Sequence, residues 1–224
     1  MKKICSLYVV FLFGFLHTQE LKDFATPKNY KKLLQVKGDL DKDGKPETLI
    51  LFNIDKKITS DFNNGYIREL FILKNLNSGL KIWKKSSTVI FASTTGFYPE
   101  NNLLPTIKIR NNCIVITQQF NTNSRHTMSY KHTYRFQEND FYLIGSVKNF
   151  DDTCEFNIFN DVNFSTGKVV VDEQYYPCFD GEKAQEKDFY KEFIYKFKKS
   201  VKMDNFRPGE NSIKIPDSDQ YFNY

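Results

Sequence analysis

The sequence predicts a mainly β protein, an antiparallel series of meanders and hairpins forming one sandwich- or propeller-like domain, opened by a short N-terminal helical turn. Two observations carry the β assignment. Phe (22) and Tyr (13) are abundant, and with many short β-branched runs they suit pleated, half-buried strands. Those runs are punctuated by Asn-Gly, Asn-Asn and Asn-Asp turn signals, the usual boundaries between antiparallel strands. No internal repeat marks a solenoid or a full propeller.

Lys2 and Lys3 precede an apolar run from Ile4 to Leu16, and His17-Thr18-Gln19-Glu20 ends it. A charged start, a run too short to span a bilayer and a polar break read as a signal peptide over residues 1–18, with cleavage near Thr18. Leu16 and Thr18 match a small-residue cleavage site only weakly, and an uncleaved anchor is the alternative. Cys5 lies inside the run rather than at its end, which argues against a lipid-anchored cysteine. The reading implies a secreted or periplasmic protein with no stable membrane insertion after cleavage. Removing Lys2 and Lys3 and no acid lowers the formal charge from +5 to +3. Such a mild balance implies no nucleic-acid partner. The rest suits a single β-rich domain over 19–207 and a polar C-terminal tail over 208–224.

Asn29 to Leu34 reads as one or two helical turns. It leads to Asp39-Leu40-Asp41-Lys42-Asp43-Gly44-Lys45-Pro46-Glu47. A hard cation such as calcium takes six to eight oxygens, and alternate residues of a loop can supply them. Asp39, Asp41 and Asp43 offer carboxylates, Gly44 permits the sharp turn, Lys45 offers its carbonyl, and Glu47 binds directly or through water. Without a cation, four like charges so close repel one another. A solvated Asp-Gly turn is the bland alternative, but such a turn needs one Asp-Gly and not three alternating aspartates plus a glutamate. Position 12 is Ile50 and the following residues read as a strand, so the loop is no EF-hand.

At these residues the chain resembles the calcium loops of FG-GAP and VCBS-type repeats, in which D-x-D-x-D-G-x-x-[DE] leads directly into a β-strand. That likeness implies a calcium ion held by Asp39, Asp41, Asp43, Lys45 and Glu47. Pro27 to Tyr30, Tyr134 to Phe136, Phe141 to Gly145 and Asn163 to Lys168 also look like a family of uncharacterised bacterial secreted proteins, which brings no activity with it.

Past the loop, Thr48 to Ile54 and Tyr66 to Leu73 read as strands around an Asp61 to Gly65 loop, and a turn at Asn75 to Gly79 leads to Leu80 to Trp83. The clearest hairpin is Thr106 to Gln118, where an Asn111-Asn112 turn pairs Ile109 with Ile114 and Ile107 with Ile116 on a core face. A second hairpin, from Tyr130 to Val147 through Gln137 to Asp140, sets Phe136 opposite Phe141 and Tyr134 opposite Leu143. Glu155 to Phe159 and Lys168 to Val171 add strands around the Asn163 to Gly167 loop. From Gly181 to Lys202, alternating Phe193, Tyr195 and Phe197 among lysines favour an edge strand, with an amphipathic helix over Lys183 to Lys199 as the competitor.

Cys113, Cys154 and Cys178 remain after the leader. Cys113 sits within a strand pattern as a core residue, which favours a Cys154–Cys178 disulfide. No ligand spacing relates these thiols to His126 or His132.

No fixed-spacing nucleophile, metal-protease or phosphate-loop signature is present. Ser165-Thr166-Gly167-Lys168 lacks the upstream glycine and the following helix. Ser124-Arg125-His126 can grip an anion but reads first as a solvated loop. Trp83, Tyr98, Tyr142 and Tyr175 are candidates for a sugar or peptide platform, with core packing as the default. The expectation is a calcium-binding β domain serving as a binding or structural module, with a protein or glycan ligand. The alternative is a secreted hydrolase or hydrolase accessory whose site is scattered through the sequence.

Overall fold

Alternating apolar residues and tight turns fold most of the chain into hairpins, and the chain pairs mainly with its own neighbours in sequence. The computed structural model describes residues 24–59, 64–99 and 103–224. The proposed leader and part of the Asp61 to Gly65 loop lie outside the described residues.

The first sheet is the four-stranded meander β1 (Tyr30–Gly38), β2 (Glu47–Thr59), β3 (Asn64–Leu76) and β4 (Gly79–Ser86). The second has seven antiparallel strands: β5 (Thr106–Arg110), β6 (Cys113–Asn121), β7 (His126–Gln137), β8 (Asp140–Asp152), β9 (Phe156–Asn163), β10 (Lys168–Tyr175) and β11 (Phe189–Ile194). A small hairpin of β12 (Ser212–Lys214) and β13 (Tyr221–Asn223) completes the set. Leu49, Leu51, Leu70 and Ile72 from the first sheet share one core with Ile107, Ile114, Ile116, Val162 and Val169 from the second. Two sheets with a common core and open edges make a sandwich.

Both expected hairpins have the expected register. Ile107 faces Ile116 and Ile109 faces Ile114 across a turn in which Asn111 and Asn112 have φ of 49° and 58°. Positive φ at both turn residues is the twist-matched geometry that Asn tolerates. Phe136 faces Phe141 and Tyr134 faces Leu143, with Glu138 and Asn139 in the same left-handed turn. Of the Lys-rich stretch, Phe189–Ile194 forms the edge strand β11 on β10, while Tyr195 and Phe197 lie beyond its end.

Two expectations need correction. Residues 29–34 make no helical turn, because Tyr30 begins β1 and pairs with Ile54. A bulge between Lys32 and Leu34 turns both Leu33 and Leu34 toward the core, so a β irregularity produces the i, i+3, i+4 spacing of a helix. Nor is 208–224 a polar tail outside the domain. Ile213, Ile215, Phe222 and Tyr224 are buried in the main core, alternating with exposed polar residues. The domain therefore runs to Tyr224.

Candidate metal centre

The acidic loop joins the end of β1 to the start of β2, at a corner where the two sheets meet. Gly38 lies so close to β5 that an added Cβ would stand 2.8 Å from Ile109 Cγ2. Leu40 drops into the core from the loop, and the Asn112 amide donates to the Asp39 carbonyl over 2.8 Å. The loop is thus tied to the β5–β6 turn of the opposite sheet.

Within the loop, backbone N–H groups orient the carboxylates. Asp39 accepts from the N–H of Lys42 (2.6 Å) and of Gly44 (3.1 Å), Asp41 from that of Asp43, and Asp43 from that of Lys45. Gly44 has φ of 79°, the left-handed turn anticipated for it. Carboxylate oxygens of Asp39, Asp41 and Asp43 lie within 4.8 Å of one another.

Glu47, the fourth expected carboxylate, is not among those gathered within 4.8 Å and is 0% exposed. Its Oε2 accepts the Leu40 N–H over 2.8 Å, while Oε1 is buried with no hydrogen-bond partner. Burial raises the Glu47 pKa, the Leu40 N–H opposes that, and the charges of Asp41 and Asp43 raise it further. Lys45 places its N–H on Asp43, and Ile50, at the twelfth position, is fully buried in a separate apolar cluster on β2.

One participant has no signature in the sequence. The Lys74 ammonium, from β3, contacts Asp41 Oδ2, sits 3.6 Å from Asp43 Oδ2 and lies 4.8 Å over the Trp83 ring. Burial alone would raise the Asp41 pKa, but Lys74 and the loop N–H groups outweigh it and hold the carboxyl down. Lys74 is raised in turn, chiefly by its bond to Asp41. Four carboxylates against this one ammonium leave a formal charge of −3 before the exposed Lys42 and Lys45 are counted.

The other sequence candidates are engaged elsewhere. The Cys154–Cys178 disulfide forms, and Cys113 is a buried free thiol. Beside the disulfide, Arg125 and His126 both meet the buried Asp152, at 2.8 and 2.9 Å, and Arg125 also meets Glu155 at 3.0 Å. Burial would raise Asp152, yet the Cys154 and Glu155 N–H groups and Arg125 pull it down to about 2. The anion that Arg125 and His126 grip therefore belongs to this chain. The amide of Asn123 lies 2.9 Å from His126 Nδ1, so neither ring nitrogen faces open solvent unaccompanied. The N–H groups of Ser165 and Thr166 are taken by Asn163, which leaves them no phosphate to hold. Trp83 packs on Phe136 and Phe141, Tyr142 is buried, and Tyr175 bonds Glu173, so no aromatic platform assembles from them.

Comparison with known proteins finds no family model, no curated protein and no solved structure that matches this chain.

Proposed function

We propose that this chain is a secreted or periplasmic β-sandwich module braced by a calcium ion in the 39–47 loop, whose faces serve binding or structural roles. The observation that carries the metal reading is Glu47, a fully buried carboxylate with one unpartnered oxygen at the end of the loop that gathers three aspartates. Buried carboxylate oxygens ordinarily have a partner, and one without a partner beside further carboxylates suits a cation. The donor set is all hard oxygen, which matches calcium or magnesium and not a thiol-seeking metal. Asp39, Asp41, Asp43 and Glu47 would supply carboxylates, and Lys45 its carbonyl. The D-x-D-x-D-G-x-x-E likeness to FG-GAP and VCBS loops supports the same ion.

A second reading has its own observation. The Lys74 ammonium already touches Asp41 and approaches Asp43, so the lysine can serve as a built-in counter-ion. Thermal unfolding in chelator, in calcium and in magnesium separates the two, using the wild type, Asp41→Ala and Lys74→Met. A calcium site predicts a higher midpoint in calcium for the wild type and for Lys74→Met, with the rise lost in Asp41→Ala. At one hundred times the dissociation constant the gain is about 2.7 kcal/mol. If no protein responds to either ion and Lys74→Met is simply less stable, the lysine neutralises the loop and the calcium reading fails.

A further inference from the structure

We propose that the inner face of the seven-stranded sheet binds a monoanion, a carboxylate or similar oxyanion, against Lys148 and its neighbours Tyr130, His132, Ser146 and Asn160. Cross-strand register places these residues together. Lys148 on β8 faces Tyr130 on β7 and Asn160 on β9, and one step along the same face His132 is opposite Ser146. The face is the one that carries Ile116, Val162 and Val169 into the core.

Polar groups on this face lack partners to an unusual degree. His132 is 0% exposed with both ring nitrogens unpartnered, and Ser146 and Asn160 are each 1% exposed with the Ser hydroxyl and both Asn amide atoms unpartnered. Among the described residues the half-buried Lys148 ammonium has no hydrogen-bond or ion-pair partner, and burial alone pulls its pKa down. Other partly screened lysines of the chain differ. Lys84 meets Asp140 and Asp204, and Lys202 meets Asp140. A half-buried ammonium without a counter-charge has lost part of its hydration, and buried donors without acceptors are costly.

One ligand answers both costs. A carboxylate accepts from the Lys148 ammonium, the Asn160 amide and the Ser146 hydroxyl, and a single ammonium balances a single negative charge. The acids at the open end of this face are already engaged, Asp152 by Arg125 and Glu173 by the Tyr175 hydroxyl. Phe206 closes one side, its ring 4.8 Å from that of His132. On the other side Met128, Phe150 and Ile158 are only half-buried.

The test is the thermal midpoint in chelator, titrated with sodium acetate and with sodium nitrate at an ionic strength held by a bulky sulfonate buffer. Wild type, Lys148→Met and Asn160→Leu are compared, with sulfate as a divalent control. A saturable rise is expected in the wild type with either monoanion, at least tenfold weaker in both variants and weaker with sulfate. Without the probe, Lys148→Met should be at least as stable as wild type, because it removes an uncompensated charge. No saturable response in the wild type, an undiminished response in both variants, or a Lys148→Met protein less stable without probe would each overturn the assignment.

Discussion

Mild acid should destabilise this protein through His132. The imidazole is fully buried, stacked on Tyr130 at 5.7 Å, and both of its nitrogens lack partners. Burial lowers its pKa from 6.5 to about 3. Tyr130 and Tyr134 on β7, Ser146 and Lys148 on β8 and Phe206, just after a 3-10 turn at Met203–Asn205, surround it, and none supplies a carboxylate to hold a proton there. The unfolded chain therefore takes up the proton first, so stability is complete above pH 6.5 and falls as pH drops toward 3. At pH 5 the loss is about 2 kcal/mol, and below the folded value it approaches about 5 kcal/mol, at roughly 1.4 kcal/mol per unit over the 3.5 units between 6.5 and 3. For a chain of this size 2 kcal/mol is about 4–8 °C in midpoint. Asp152, at about 2, acts lower down, while raised Glu47 acts in the opposite sense as pH falls, so the comparison with a histidine-free variant is what isolates His132. Midpoints from about pH 7 to 5 for wild type and His132→Leu check it. A wild-type slope that persists undiminished in His132→Leu would refute the assignment.

Other perturbations follow from packing. Gly38→Ala forces a Cβ to within 2.8 Å of Ile109 Cγ2 and 3.0 Å of Ile109 Cβ, at a cost of about 1–3 kcal/mol; in urea titrations, Ile109→Ala in the same chain should recover part of the cost through a coupling above about 0.5 kcal/mol. Deleting 208–224 removes Ile213, Ile215, Phe222 and Tyr224 from the core, and at about 1.5–3 kcal/mol each the loss rivals a whole domain's stability; a folded, cooperative truncation by circular dichroism would contradict this. Reducing Cys154–Cys178, which spans 24 residues, should lower stability by about 3 kcal/mol through loop entropy, read as a shift in the urea midpoint.

What was legible in the sequence was local. Each hairpin announces itself because turn residues and alternating apolar residues lie within one short stretch, as at Asn111-Asn112 between Ile109 and Ile114. Bulges break that legibility. The extra residue Ile144 sits between Leu143, which faces Tyr134, and Gly145, which faces Thr133. Plain alternation from Leu143 would turn Gly145 and Val147 inward, but the bulge puts Ser146 and Lys148 there instead. The polar row of the inner face was invisible for that reason. The three aspartates were readable as a cluster because their spacing alone brings them together, whereas Lys74 stands 33 residues from Asp41 and reaches it only across the sheet. Nothing in the loop itself reveals that partner.

The position of the loop decides what an ion there would do. Glu47 opens β2, Lys74 reaches Asp41 from β3, Asp39 is held by Asn112 from the opposite sheet, and Leu40 is seated in the shared core. A cation coordinated by these carboxylates would therefore fix the seam between the two sheets and not a peripheral turn. Local opening of the loop without separating the sheets would have to withdraw Leu40 from the core, which costs about 1.5–3 kcal/mol before any carboxylate leaves the ion. The loop and the sandwich should thus unfold together, and calcium protection in hydrogen exchange should spread to β1, β2 and the β5–β6 turn. Protection confined to residues 39–47 would mean that the ion braces a turn and not the fold.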